Sequence, residues 1–136
     1  SAQKQQELAP QICTELVIHT LLEEEIFYPA LKGKIEDDVY SEAFVEHDGA
    51  KVLVNDIMSA SPDDEFFDAK VSVLGEEIRH HVQEEERRSE GMFAQAREAG
   101  VDLISLRDQM LARKQELMME ARNAELPPAE LRVVHI

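Results

Sequence analysis

The chain is short of the residues that most non-helical architectures depend on. Its 136 residues include five glycines, five prolines, two tyrosines, five phenylalanines and no tryptophan. Sandwiches and barrels need turn formers at every strand end and aromatic or β-branched residues between them, so this composition argues against both. A single cysteine, Cys13, rules out an intramolecular disulfide framework. Positive charge is also scarce: 14 Lys and Arg stand against 29 Asp and Glu, for a formal net charge of −15. A nucleic-acid backbone or an anionic membrane would repel such a surface, so neither is an expected partner, whereas a cation is. There is no H-E-x-x-H, no Gly-rich phosphate loop and no constellation suited to a serine or cysteine nucleophile. No stretch resembles a signal peptide or a membrane span, so a cytoplasmic location is expected.

What remains is hydrophobic content of 43% set among Glu, Gln, Leu, Ala and Met. That is enough for one domain with a core, built from helices. Turn signals and periodicity predict four long amphipathic segments. The first runs from about Gln3 to Leu31 and stops at Lys32-Gly33-Lys34, with Pro10 marking its first well-formed turn or a kink. The second covers about Asp37 to Met58. A third starts at Ser61-Pro62-Asp63-Asp64, with Ser61 as N-cap, and continues to about Ala99 before Gly100. The fourth spans about Leu103 to Asn123 and is followed by a tail, 124–136, in which His135 stands outside every motif, with docking of "VVHI" by its apolar residues as the alternative.

Each of the first three segments has an inward line at alternating spacings of four and three. Ile12, Leu16, His19, Glu23, Ile26 and Ala30 form the first, and Tyr40, Ala43, His47, Ala50, Val54 and Ile57 the second. The third holds Val71, Leu74, Ile78, His81 and Glu85, then Met92 after a polar turn. Three helices thus bring a histidine to one interior, and two of them add a glutamate four residues on. Residues four apart on a helix differ by only about 40° around its axis, so His19 with Glu23, and His81 with Glu85, can reach one point. Burying ionised carboxylates unpaired costs several kcal/mol, and a shared cation removes that cost. Imidazole nitrogens with carboxylate oxygens suit iron, manganese or zinc. The candidate metal ligands are therefore His19, Glu23, His47, His81 and Glu85.

The neighbours take lesser parts in this reading. One glutamate from each of the runs 23–25 and 84–86 is expected to point inward. His80 with Glu84 repeats the His–Glu spacing but lies about 100° from the apolar line, which makes His80 a boundary residue. Tyr28 is expected at the core edge, with a hydrogen bond toward the site as the alternative, and Cys13 as a small buried hydrophobe.

The segments "HTLLEEEIFYPAL", "EHDGAKVLVNDI" and "EEIRHHVQEEERRSEGMFAQA" resemble the hemerythrin-like HHE cation-binding family, over about Gln11 to Lys114. The resemblance implies an all-α, hemerythrin-like up-down helical bundle over residues 1–123, with 103–123 as an additional C-terminal helix. It also implies a non-haem di-iron centre held by histidines and bridging carboxylates, onto which the same five residues map by motif. The family's usual opening helix carries a further histidine-containing pair, and nothing ahead of His19 matches it. Without that helix the expectation is one ion, another divalent metal, or none. The Leu103–Asn123 segment would then be an appended helix or fill the open groove, in its own chain or in a homodimer. The implied function is binding or sensing of oxygen, peroxide or nitric oxide rather than dedicated catalysis. The alternative is a metal-free helical scaffold for dimerisation or partner binding, and a ferritin-like enzyme lacks its second E-x-x-H motif.

Overall fold

The computed structural model describes residues 2–61, 63–87, 91–124 and 126–136, and among them every regular element is helical. α1 (Ala2–Leu22) passes into a π-helical turn (Glu23–Phe27) and then into α2 (Tyr28–Leu31). The backbone stays helical on both sides of the π turn, with φ, ψ of −60°, −43° at Leu22 and −61°, −42° at Tyr28, so the three pieces form one helical run. Pro10 lies inside α1, which continues ahead of it to Ala2. Gly33 ends the run at a φ of 77°, a conformation that costs glycine nothing, and the Lys34 N–H donates back to the Leu31 carbonyl. α3 (Asp37–Ser59) returns alongside α1, and α4 (Phe67–Glu85) packs against both.

The third predicted helix needs correcting at two places. It starts at Phe67 rather than at Ser61, because the Asp64 carboxylate accepts the Phe66 N–H and holds a turn ahead of α4. Pro62 lies outside the described residues. The helix also ends at Glu85, and α5 (Met92–Glu98) follows as a separate element. Gly91 is where the chain comes back against the end of α4. A Cβ there would lie 2.7 Å from the Arg87 N and O and 2.8 Å from the Glu84 carbonyl oxygen, so only glycine fits. Gly100, at a φ of 75°, closes α5, and the Asp102 carboxylate caps α6 (Leu103–Asn123) by accepting the Ser105 N–H.

The larger apolar cores sit at two levels, one on α1, α3 and α4 and the other on the π turn, α2, α3, α5 and α6. One joins Ala9 and Cys13 to Val54, Ile57, Phe67 and Leu74. The other gathers Phe27, Tyr28, Leu31, Ala43, Met92 and Leu106. Cys13 is buried as expected, but Ile12 is exposed, because the inward face of α1 is the Ala9–Cys13–Thr20 line. α6 packs along α1, with Leu117 against Ile18 and Leu22. Between the two cores, at the end of α1 and its π turn, the middle of α3 and the last turns of α4, lies a layer of buried polar residues.

Candidate metal centre

The π turn determines what α1 contributes to this layer. An extra residue in the turn widens it, and Glu23 and Glu24 are both buried, at 2% and 4% exposure. The expectation of one inward glutamate per run fails here, since it assumes an uninterrupted α-helix. It holds for the second run, where Glu85 is buried and Glu86 exposed. Thr20, Glu24 and Tyr28 are all buried at successive spacings of four. An α-helix would carry that line about 80° around its axis in two steps, and the π turn absorbs the drift.

His47 from α3 and His81 from α4 face each other, with their Nε2 atoms 3.2 Å apart and ring centroids 4.8 Å apart. Glu23 Oε1 lies 3.1 Å from His47 Nε2 and 3.7 Å from His81 Nε2, while Glu85 Oε2 lies 3.2 Å from His81 Nε2. The Tyr28 hydroxyl sits among them, donating to Glu85 Oε2 at 2.9 Å and lying 3.0 Å and 3.2 Å from the Nε2 atoms of His47 and His81. Tyr28 is fully buried, so the structure puts it inside the cluster rather than at the core edge. His19 is the outlier. Its Nε2 is 2.8 Å from Glu23 Oε1, but half of its side chain (50%) is exposed, so it stands at the rim and not in the core line. His80 points away, with its side chain 67% exposed.

Behind each buried histidine stands a carboxylate that the periodicity did not single out. His47 Nδ1 is 2.8 Å from Glu24 Oε2, and His81 Nδ1 is 2.9 Å from Glu46 Oε2. With Nδ1–H donating backwards, each ring offers Nε2 to the shared point, the arrangement that orients and strengthens imidazole as a metal ligand. Glu46 is on the neighbouring helix to His81, a tertiary relation invisible to single-helix spacing. The triplet Glu46-His47-Asp48 places acids beside His47 in sequence but does not place Glu46 against His81.

Titration in this cluster is set by competition between burial and pairing. Burial pushes the Glu23 carboxyl up, but hydrogen bonds from His19, His47 and His81 outweigh it and hold Glu23 well below the usual range. Glu85 goes the other way: burial, aided by the charge on nearby Glu23, raises it despite His81. Burial disfavours the protonated rings, yet Glu23 and Glu24 raise His47, and Glu23, Glu85 and Glu46 push His81 up to about 11. Burial and the surrounding carboxylates drive the Tyr28 hydroxyl far above its ordinary value, which keeps it a donor.

These residues fit a cation. Two imidazole nitrogens 3.2 Å apart cannot comfortably both hold protons toward one another, and Glu23 and Glu85 repel unless something positive lies between them. Among the described residues two three-donor groups have ligand atoms all within 4.8 Å of one another: Glu23, His47 and His81, and His19, Glu23 and Glu85. Glu23 belongs to both, and α6 adds no member to either. Two openings reach His81, and Glu46 lines both. One is a largely apolar cavity of about 240 Å³ whose wall includes Leu16, Val17, Ala50, Val54, Ile78 and His47. The other is a cleft of about 400 Å³ lined by Glu36, Glu42, Glu46, Glu84 and Glu85 among others. Among the described residues, no helix is long and apolar enough to cross a membrane.

A family model, that of the hemerythrin HHE cation binding domain, matches residues 1–96. The match takes in α1 to α4 with the whole histidine–carboxylate cluster and leaves α6 and the tail outside it. No curated protein and no solved structure matches the chain.

Proposed function

The chain belongs to the hemerythrin HHE cation binding domain family, and from that premise we propose that it holds a pair of non-haem iron ions and binds or senses oxygen, peroxide or nitric oxide. One observation carries the step from a cation to a pair: Glu23 is shared by two adjacent donor groups, as a bridging carboxylate would be. In this reading His47, His81 and Glu23 would hold one ion, and His19, Glu23 and Glu85 would hold the other. Iron held by nitrogen and carboxylate donors supplies the redox chemistry that small oxidants and nitric oxide need.

The chain's own residues do the rest. Glu24 and Glu46 fix the rings of His47 and His81, so that ligand atoms need not reorganise when charge changes. The acidic cleft beside His81 concentrates cations at one mouth. The largely apolar wall of the other opening would suit a small uncharged ligand. The Tyr28 hydroxyl, a donor at the centre of the cluster, can hand a hydrogen bond to whatever anionic group forms there.

The test is metal content after anaerobic ferrous reconstitution and desalting, on the parent chain, His81→Ala and His80→Ala. A pair of irons in the parent and in His80→Ala, with a severe loss in His81→Ala, is the expected result. Equal retention by the two variants would sink the ligand assignment. A second reading, a metal-free helical scaffold, draws support from the hydrogen bonds that link the donor set together without an ion. That reading requires a negligible metal content, with helix content and oligomeric state unchanged by a chelator.

A further inference from the structure

The described residues of the tail after α6 form no regular element, yet they are tied along one face of α3 in antiparallel sense. The Asn55 amide makes a paired contact with Ala129, donating to its carbonyl at 2.9 Å and accepting its N–H at 2.9 Å. One turn on, the Lys51 ammonium donates to the Glu130 carbonyl at 2.8 Å. The Asp48 carboxylate then accepts three successive backbone N–H groups, from Arg132 at 3.0 Å and from Val133 and Val134 at 2.7 Å each. Positions 48, 51 and 55 are the i, i+3 and i+7 of a single helix face. Docking is by backbone and charge rather than by the apolar residues of "VVHI": Val133 is 45% exposed and Ile136 97%.

Asp48 is fully buried and Lys51 nearly so. Burying an ion pair is a poor way to gain stability, so the pair calls for another purpose. Lys51 Nζ also lies 2.8 Å from Glu24 Oε1, and Arg132 Nη1 lies 3.6 Å from the same oxygen. The other oxygen of Glu24 accepts from His47 Nδ1. A continuous chain of charge-assisted contacts therefore leads from the tail backbone through Asp48, Lys51 and Glu24 to His47. Ala129 also forms part of the wall of the 240 Å³ cavity that contains His47 and His81.

We propose that the C-terminal strap, Ala129–Val134, is a working part of the metal centre: it positions His47 through Lys51 and Glu24 and walls the cavity beside it. The proposal rests on the metal-centre reading above. With the strap in place, Lys51 and Arg132 hold Glu24 in one orientation, and Glu24 in turn fixes the His47 tautomer with Nε2 facing the shared point. Without the strap, Asp48 and Lys51 lose their backbone partners, water enters, and the Glu24–His47 contact loosens. Asp48, Lys51 and Glu24 are thus positioning residues.

The test uses the full chain with Val133→Pro and Val134→Pro together, which removes two N–H donors to Asp48 while keeping the tail. Asn55→Ala is a milder second variant that frees Ala129 and leaves the Asp48 contacts alone. Leu117→Ala, on the α6 side, is the control for lost stability without a strap defect. In metal-free protein, the His47 Nδ1–H resonance is read by long-range ¹H–¹⁵N NMR. In metal-loaded protein, the release of Co²⁺ to a chelator is timed and its visible spectrum recorded. The strap variants should weaken or shift the His47 signal, alter the cobalt spectrum and speed release by about tenfold, with Asn55→Ala in the same direction but smaller. Leu117→Ala should lower Tm and move neither readout. Strap variants that match Leu117→Ala would overturn the proposal. A His47 change in metal-free protein, with no cobalt held even by the parent, would support the coupling and overturn the metal reading instead.

Discussion

Replacing Tyr28 by Phe removes one oxygen atom from the centre of the cluster and nothing else. The ring remains packed edge-on against Phe44, with centroids 5.2 Å apart, and beside His47 at 5.1 Å, so no cavity larger than the hydroxyl is opened. What disappears is the donor to Glu85 at 2.9 Å, together with the contacts to both Nε2 atoms. A buried hydrogen bond to a group of carboxylate character contributes about 1.5–3 kcal/mol, and little is recovered because water cannot take the hydroxyl's place. We therefore expect Tyr28→Phe to destabilise the metal-free protein by about 2 kcal/mol, or a fall in Tm of about 6 °C for a chain of this length. When metal is bound, Glu85 and the two imidazole nitrogens would turn their lone pairs to the cation, and the loss should shrink to about 0.5 kcal/mol. The difference of about 1.5 kcal/mol appears as metal binding tightened by about tenfold. Urea unfolding in the presence and absence of a chelator, with competitive metal titration, measures all three quantities. Weaker binding in the variant would refute the reasoning, because the hydroxyl would then be a ligand and not a competitor. An unchanged metal-free stability would refute it from the other side.

Gly91→Ala should cost about 2–4 kcal/mol, since its Cβ would press on backbone atoms that no side-chain rotation can move, whereas Gly49→Ala, inside α3 with a Cβ that meets nothing, should raise stability by about 0.5–1 kcal/mol; thermal unfolding that moved both the same way would refute this. For pH, His81 is raised from 6.5 to about 11, so its pairing contributes stability that is full below the unfolded value and lost as pH rises toward 11. Metal-free protein should accordingly become less stable between pH 7 and 10, and denaturation midpoints that rise over that range would contradict it. Because a metal takes neutral imidazole, binding near pH 7 should also release protons, measurable as a calorimetric heat that varies with the buffer's ionisation enthalpy; a buffer-independent heat would count against His81 as a ligand.

The parts of the site that could be read from sequence are those a straight helix determines. His47, His81 and Glu85 follow the apolar lines of α3 and α4, both regular α-helices through the site, and the structure buries all three together. On α1 the same logic reached Glu23 but drifted at both ends. It put Ile12 inward, although the buried line of α1 runs through Ala9, Cys13 and Thr20, and it left Glu24 at the surface, because the π turn changes the register there and nothing in "LLEEEIFYP" announces an i→i+5 bond. His19 shows the reverse error: its spacing to Glu23 was right, at 2.8 Å, while its burial was overestimated. Glu46 and Asp48 were illegible for a different reason, since their partners come from other elements. Glu46 meets His81 across the α3–α4 contact, and Asp48 meets backbone N–H groups 84 to 86 residues further along the chain.

That difference has a consequence for where the centre can be adjusted. Residues legible from helix spacing are the ones whose side chains meet at the shared point, and altering them removes donors. Residues that were not legible reach the same point through a second contact: Glu24 through His47, Glu46 through His81, and the tail through Lys51. Changes there leave the donor set intact and alter only how firmly it is held, so they are expected to tune release rate and spectrum while metal stoichiometry stays constant. The family match covers α1 to α4 and stops before the tail. The donor set thus belongs to the shared domain, whereas the strap on Glu24 lies in the segment beyond it, where a sequence can vary without rebuilding the centre itself.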